Sequence, residues 1–230
     1  MHEKNIKAKD VLIIFLKYPE PGSVKTRLAK TIGDDKAASL YSVFTQKIFK
    51  DTANIAYRRM IFFTPEEKLD SLKKWLKADV IFYPQRGKSL GDRLVRAFET
   101  AFKEGARRVI AIGTDSPLID HKIILKAFNA LSGKEAVIGP TEDGGYYLIG
   151  LSRPFLRSVF QKIRWGSGEV FRQTLDRMRS GGLRFKILAE ERDIDDERSL
   201  MALLADIRSK GEIVPADKKL YHNIEDVLKR

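Results

Sequence analysis

Apolar positions along the chain fall into short continuous runs separated by amphipathic stretches. Val11–Leu16 reads V-L-I-I-F-L, a β-branched run expected of a strand covered on both faces. A Pro–Gly loop follows at Pro19–Gly22. Asp34 then caps an amphipathic stretch reaching about Tyr57, with Ala37, Leu40, Phe44, Ile48 and Ile55 near one face. Arg59–Phe63 predicts a second strand, Glu66–Leu76 a helix and Asp79–Tyr83 a third strand. Leu90–Glu104 predicts a helix with Leu94, Ala97, Phe98 and Ala101 on one stripe; Arg108–Ile112 is a fourth strand and Ile119–Leu131 a helix.

This repeated β-α-β-α order predicts an α/β fold, a mostly parallel sheet with helices on both faces. The second part differs. Ala136–Gly139 and Tyr146–Leu151 are apolar runs on either side of Glu142-Asp143-Gly144-Gly145. Pro154–Phe160 and Glu169–Arg179 read as helices, Arg184–Leu188 as a late strand, and Asp196 as the cap of a last helix, Glu197–Ile207. No Ser- or Pro-rich linker divides the chain, so residues 1–230 are expected to form one domain; Lys218–Arg230 reads as a peripheral helix or a frayed tail.

Composition narrows the chemistry. The 230 residues contain no Cys, which excludes disulfides, thiolate nucleophiles and Cys-ligated metal centres. The three histidines, His2, His121 and His222, are too scattered for a His-built metal site. The longest apolar run near the start is too short to span a bilayer or to serve as a signal-peptide core, so the expectation is a soluble, cytoplasmic protein without a membrane span. The formal charge is +12, but Lys and Arg are interspersed with acids along the whole chain. No specific nucleic-acid partner is expected from that pattern, whereas a phosphorylated small substrate is.

Several loops carry candidate chemistry, each beside a plainer reading. The loop after the first strand, Pro19-Glu20-Pro21-Gly22-Ser23-Val24-Lys25-Thr26-Arg27, places two cations near a helix start, where backbone N–H groups and side chains together hold phosphates; it also reads as an ordinary turn with solvated cations. Gly113-Thr114-Asp115-Ser116-Pro117 sets a carboxylate at the end of the fourth strand, suited to Mg²⁺ or Mn²⁺ or to capping the next helix. Asp143-Gly144-Gly145-Tyr146 is either a hairpin turn or a close approach to substrate. Arg164-Trp165-Gly166-Ser167 suggests an acceptor-side lid or a packed Trp. Asp193-Ile194-Asp195 puts two carboxylates on one side of an extended segment, as further metal ligands or as helix caps. Ser89-Leu90-Gly91-Asp92-Arg93 is a base or ribose contact, or simply a helix start. P-loop, dinucleotide and serine-hydrolase motifs are absent from the sequence.

In order, Y-P-x-P-G-x-V-K-T-R-L, L-G-D-R, G-T-D-S-P, P-T-x-D-G-G-Y-Y-L-I-G, W-G-S-G and D-I-D resemble the radical-SAM/selenodomain-associated transferases, from about Val11 to Leu204. These belong to the nucleotide-diphospho-sugar transferase superfamily, which also holds the molybdenum-cofactor and phospholactate guanylyltransferases. The resemblance implies a glycosyltransferase-A fold, with a nucleotide-binding half over about 1–130, an acceptor half over about 131–210 and a peripheral tail, 211–230. It implies a nucleotide or nucleotide-sugar donor on Pro21, Gly22, Lys25, Thr26, Arg27, Gly91, Asp92, Arg93 and Thr114. Lys25, Arg27 and Asp115 would be catalytic, and Asp115, Asp195 and Asp193 would hold Mg²⁺ or Mn²⁺. A small acceptor would meet Asp143, Gly144, Gly145, Tyr146, Trp165, Gly166 and Ser167. The implied reaction is metal-dependent sugar transfer, with nucleotidyl transfer to a phosphorylated small molecule as the alternative. A non-catalytic RNA- or partner-binding module is the third reading, and oligomeric state is left open.

Overall fold

The computed structural model describes residues 9–53, 56–209 and 215–229. Its centre is a seven-stranded sheet of β1 (Asp10–Lys17), β2 (Arg58–Thr64), β3 (Ile81–Pro84), β4 (Arg108–Ile112), β5 (Ala136–Pro140), β6 (Tyr146–Ser152) and β7 (Phe185–Ile187). The order is β3-β2-β1-β4-β6-β5-β7, with β6 antiparallel to both neighbours and the other pairs parallel. The chain therefore winds outward from β1 to β3 and returns across the sheet to β4. The order of winding reverses between the parallel strands β1 and β4, the place where open α/β sheets leave a crevice at the strands' carboxyl ends.

The helices are α1 (Thr26–Ile32), α2 (Asp34–Asp51), α3 (Leu69–Leu76), α4 (Leu90–Lys103), α5 (His121–Ala130), α6 (Val170–Ser180), α7 (Glu197–Ser209) and α8 (Pro215–Lys229). Strand alternation sends Val11, Ile13, Met60 and Phe62 to one face, against Leu94 and Phe98 of α4 and Leu175 and Met178 of α6. Leu12, Ile14, Ile61 and Phe63 go to the other, against Ile48 of α2, Leu72 of α3 and Ile124 and Phe128 of α5. Covering on both faces explains why β1 is an unbroken apolar run. A third core joins Leu28 of α1, Leu40 and Phe44 of α2, Leu200 and Leu203 of α7, and Leu220 and Ile224 of α8.

Several boundaries differ from the sequence expectation. The second helix stops at Asp51, where the Thr52 hydroxyl donates to Ile48 O at 2.7 Å, and Tyr57 already leads into β2; Ile55 lies outside the described residues. Gly33, at φ +88°, holds the cap position assigned to Asp34, which instead supplies first-turn negative charge. β3 starts two residues late because a turn from Val80 N to Ala78 O occupies the segment before it. Pro154–Phe160 forms only a single tight turn at Arg157–Phe160, because Leu156 is extended. Residues 215–229 are helical and bury Leu220 and Ile224, so α8 extends the third core beyond what was read as the last helix. Among the described residues, no helix is long and apolar enough to cross a membrane.

Candidate active site

Three segments remote in sequence meet at the carboxyl ends of β1 and β4. The loop after β1 is held by Lys17 Nζ, which donates to Ser23 O at 2.6 Å, and turns at Gly22, with φ +74°. Lys25 then takes φ +49°, a left-handed conformation that costs a non-glycine residue roughly 1–2 kcal/mol. The outcome of that strain is placement: the Lys25 side chain is 2% exposed and its ammonium contacts both Asp115, just past β4, and Asp195, at 3.0 Å. Burial alone would push this lysine's pKa down, but the charges and hydrogen bonds of Asp115 and Asp195 outweigh it and hold the ammonium protonated well above the ordinary range.

The Asp193–Asp195 segment is fixed from behind by Ile194. Its side chain is 1% exposed in the third core, and its N–H donates to the Asp115 carbonyl at 3.0 Å. Alternation then throws the flanking carboxylates toward the crevice. They have different roles there. Asp195 meets Lys25, whereas Asp193 accepts a hydrogen bond from the Ser116 hydroxyl and is half-buried, and the desolvation pushes its carboxyl up to about 7.

A cavity of about 380 Å³ opens over Asp115, Ser116 and Asp193, lined also by Lys17, Gln85, Arg93, Thr114 and Tyr146 among others. Thr114 donates to the Tyr41 hydroxyl at 2.8 Å, and that hydroxyl accepts from Lys17 N at 2.9 Å. Gln85 Nε2 donates to Leu16 O and Phe62 O and so ties together the ends of β1 and β2. Sequence reasoning missed Tyr41 and Gln85, and read Ser116 as part of a turn capping the next helix, whereas Asp120 is that cap and Ser116 bonds Asp193. The one available signal was Tyr41 itself, a polar-tipped ring on the buried face of α2 that must find a partner.

The remaining expected residues are distributed around this centre. Pro21, Thr26 and Arg27 are exposed, and Arg27 lines a second cavity together with Asp195 and Asp196. Asp92 closes a capping box with Ser89, as the helix-start reading had it, and Gly91 is the floor under Trp165: a Cβ there would lie 2.8 Å from the indole Nε1. Trp165 lines a third cavity of about 870 Å³ on the far side of the first turn of α4, together with Gly91 and Asp92, and its ring meets Tyr146 edge-on. The Ser167 hydroxyl donates to Arg164 O, beside Gly166 at φ +82°. Asp143 closes the β5–β6 turn, accepting from Thr141 Oγ1 at 2.6 Å and Gly145 N at 3.0 Å. Gly144, at φ +84°, lets the Gly168 backbone close on this turn.

The donor set fits a divalent ion only in part. The side chains of Asp115 and Asp195 are 47% and 40% exposed and already flank one cationic centre, an arrangement matched to Mg²⁺, which usually takes one or two carboxylates plus substrate oxygens. Asp193, expected as a third ligand, is turned to Ser116 instead, and among the described residues no group of three His, Cys, Asp or Glu is placed to hold a metal.

This architecture is the fold of the nucleotide-diphospho-sugar transferases and cytidylyltransferases. A crystal structure from Desulfovibrio desulfuricans G20, of a protein provisionally named a nucleotide-diphospho-sugar transferase, is 34% identical, covers 96% of this chain and 97% of its own, and superposes with a TM-score of 0.89. A cytidylyltransferase from Leptospira borgpetersenii is 16% identical over 96% of this chain and 94% of its own, with a TM-score of 0.56. The 4-diphosphocytidyl-2C-methyl-D-erythritol synthase from Anaerococcus prevotii is 13% identical over 86% and 96%, with a TM-score of 0.55; these two share the fold alone. The chain belongs to the family DUF2064, described as an uncharacterized protein conserved in bacteria, whose model matches residues 49–167. Among curated protein sequences none matches it significantly.

Proposed function

We propose that the protein is a metal-dependent nucleotide-diphospho-sugar transferase that moves a group from a nucleotide-activated donor to a small acceptor. The observation that carries this reading is the meeting of Lys25, Asp115 and Asp195, from three remote segments, at the crevice between β1 and β4. A basic binding module has no need of a buried ammonium between two carboxylates. The provisional name of the 34%-identical Desulfovibrio protein points the same way.

In sugar transfer an acceptor hydroxyl attacks the sugar carbon while the nucleoside diphosphate leaves, and negative charge grows on the departing phosphate. Lys25, charged and fixed before substrate arrives, donates to those oxygens. Asp115 and Asp195 would hold Mg²⁺ or Mn²⁺, which when bound supplies charge neutralisation at the same oxygens. Gln85, Arg93 and Thr114 line the cavity that would take the rest of the donor. Nucleotidyl transfer drew its support from two adjacent cations suited to a triphosphate. It stays the second reading: Arg27 lines the cavity that Asp195 also lines, and Asp195 is a carboxylate bound by Lys25.

The test is a calorimetric panel of nucleoside triphosphates and nucleoside diphosphate sugars, with and without Mg²⁺ and Mn²⁺, on the wild type and Asp115→Asn. Metal-dependent binding of a nucleotide sugar, lost in the variant with the fold intact, is expected. Absence of nucleotide binding, or affinity that ignores both metal and Asp115, defeats the reading.

A further inference from the structure

The opening loop uses its two cations differently: one is buried between carboxylates and the other lines a cavity. Lys25 turns inward to Asp115 and Asp195. Arg27, two residues on and exposed, lines a separate cavity of about 440 Å³ with Arg192, Arg198 and Asp143. Asp193 lines both this cavity and the one above β1 and β4, so the Asp193–Asp195 segment is the wall between them. Two compartments that adjoin at Asp193 provide what a transfer between two bound molecules requires.

The acids lining the second compartment are all engaged. Glu142 accepts from Arg192 at 2.9–3.1 Å, and Asp143 is taken up by its own turn. Asp193 faces Ser116, and Asp195 faces Lys25. Asp196 accepts from Ser199 N at 2.8 Å as the cap of α7. The two remaining guanidiniums differ. Arg27 and Arg198 donate no hydrogen bond and form no ion pair with a described residue. What they do is add their charge to the Ser199 hydrogen bonds that hold Asp196 below its ordinary pKa. Uncommitted guanidiniums among committed carboxylates present a fork of donors to an oxyanion.

We propose that this compartment is the acceptor pocket and that the acceptor carries a phosphate or carboxylate gripped by Arg27 and Arg198. The word acceptor rests on the transferase reading above; the anion site does not.

Inorganic phosphate and malonate serve as probes, titrated calorimetrically into the full chain in a Lys25→Met background, which removes the competing ammonium. Arg27→Gln and Arg198→Gln, both at exposed positions, are added singly and together. The arginine pair is expected to account for at least a tenfold change in the Kd of one probe, and that probe names the group. In the otherwise wild-type protein, the double variant should leave the Kd of the nucleotide donor within twofold. Anion binding indifferent to both arginines overturns the proposal, as does a tenfold loss of donor affinity in Arg27→Gln. Arginine-dependent anion binding by a chain that binds no nucleotide supports the site and removes the transferase reading.

Discussion

Replacing Lys25 by Met separates two properties that most active-site substitutions lower together. In the free protein the ammonium sits between Asp115 and Asp195, in the position a divalent ion would share. The Lys25–Asp195 pair is 3.0 Å apart, so its Coulomb energy is roughly 5 kcal/mol at an effective dielectric of about 20, and about 1.4 kcal/mol at that of water. Both carboxylates are open to solvent on one side, which favours the lower figure for each pair. A metal arriving without nucleotide must displace or share this ammonium, so Lys25→Met should tighten Mn²⁺ binding by about tenfold or more, 1.4 kcal/mol being tenfold. The phosphate-bearing donor loses a charge-assisted hydrogen bond worth about 1.5–3 kcal/mol and should bind about 10- to 100-fold more weakly. Stability should move by about 1 kcal/mol or less, because the carboxylates keep their water and Met fills the lysine's channel. Mn²⁺ titration followed by electron paramagnetic resonance, nucleotide calorimetry and urea unfolding read the three quantities. Unchanged or weakened Mn²⁺ affinity would show that Lys25 does not compete for the ion position.

Other perturbations test the framework around this centre. Ile194→Ala removes a 1%-exposed side chain, so about 2–5 kcal/mol of stability should be lost, and metal-dependent nucleotide affinity should fall with it; unaltered affinity in the folded variant would show that the anchor does not position Asp195. Gly144→Ala would place a Cβ 2.0 Å from the Gly168 carbonyl oxygen at φ +84°, and differential scanning calorimetry should register a loss of about 2 kcal/mol or more. Arg184 pulls the Glu135 carboxyl from its ordinary 4.5 down to about 2, so the contribution of this contact is whole above about pH 4.5 and disappears as pH falls through about 2. Glu135→Gln should therefore flatten the acid limb of the stability–pH curve between those values, and parallel curves for the two proteins would exclude the contact as a stabilising one.

Much of the sheet was legible because burial on both faces forces unbroken apolar runs. β4 was read to the residue, and β1 and β2 to within one residue at either end. β3 was misplaced because its four residues lie near the sheet edge, partly exposed, and so carry little hydrophobic contrast. The carboxylates were legible for a different reason. An Asp at the end of a buried strand, and two Asp residues on either side of one Ile, are local patterns whose direction follows from strand geometry. The partition of Lys25 and Arg27 was not legible, because it follows from a left-handed residue at Lys25 that no neighbouring glycine announces. Likewise Tyr41, Gln85 and Ser116 act through contacts 23 to 77 residues distant, and no local window holds them.

Ile194 links the fold's stability to its chemistry in a way that bears on α8. The third core, in which Ile194 is buried, is closed by Leu220 and Ile224 of α8, far in sequence from any candidate catalytic group. Asp195 is therefore held at Lys25 by contacts of unlike kind: the backbone hydrogen bonds from Ile194 to Asp115 and from Asp195 N to Ser199 Oγ, and the apolar seating of Ile194 among α1, α2, α7 and α8. Loosening α8 should consequently reach the site through Ile194 rather than through any residue that lines a cavity there. Ile224→Ala, fully buried and absent from the linings of all three cavities around the site, provides the comparison. A loss of about 2–5 kcal/mol together with weaker metal-dependent nucleotide binding follows from this linkage. An equal loss of stability with wild-type affinity in the folded fraction would show that the segment's hydrogen bonds, not the seating of Ile194, hold Asp195 in place.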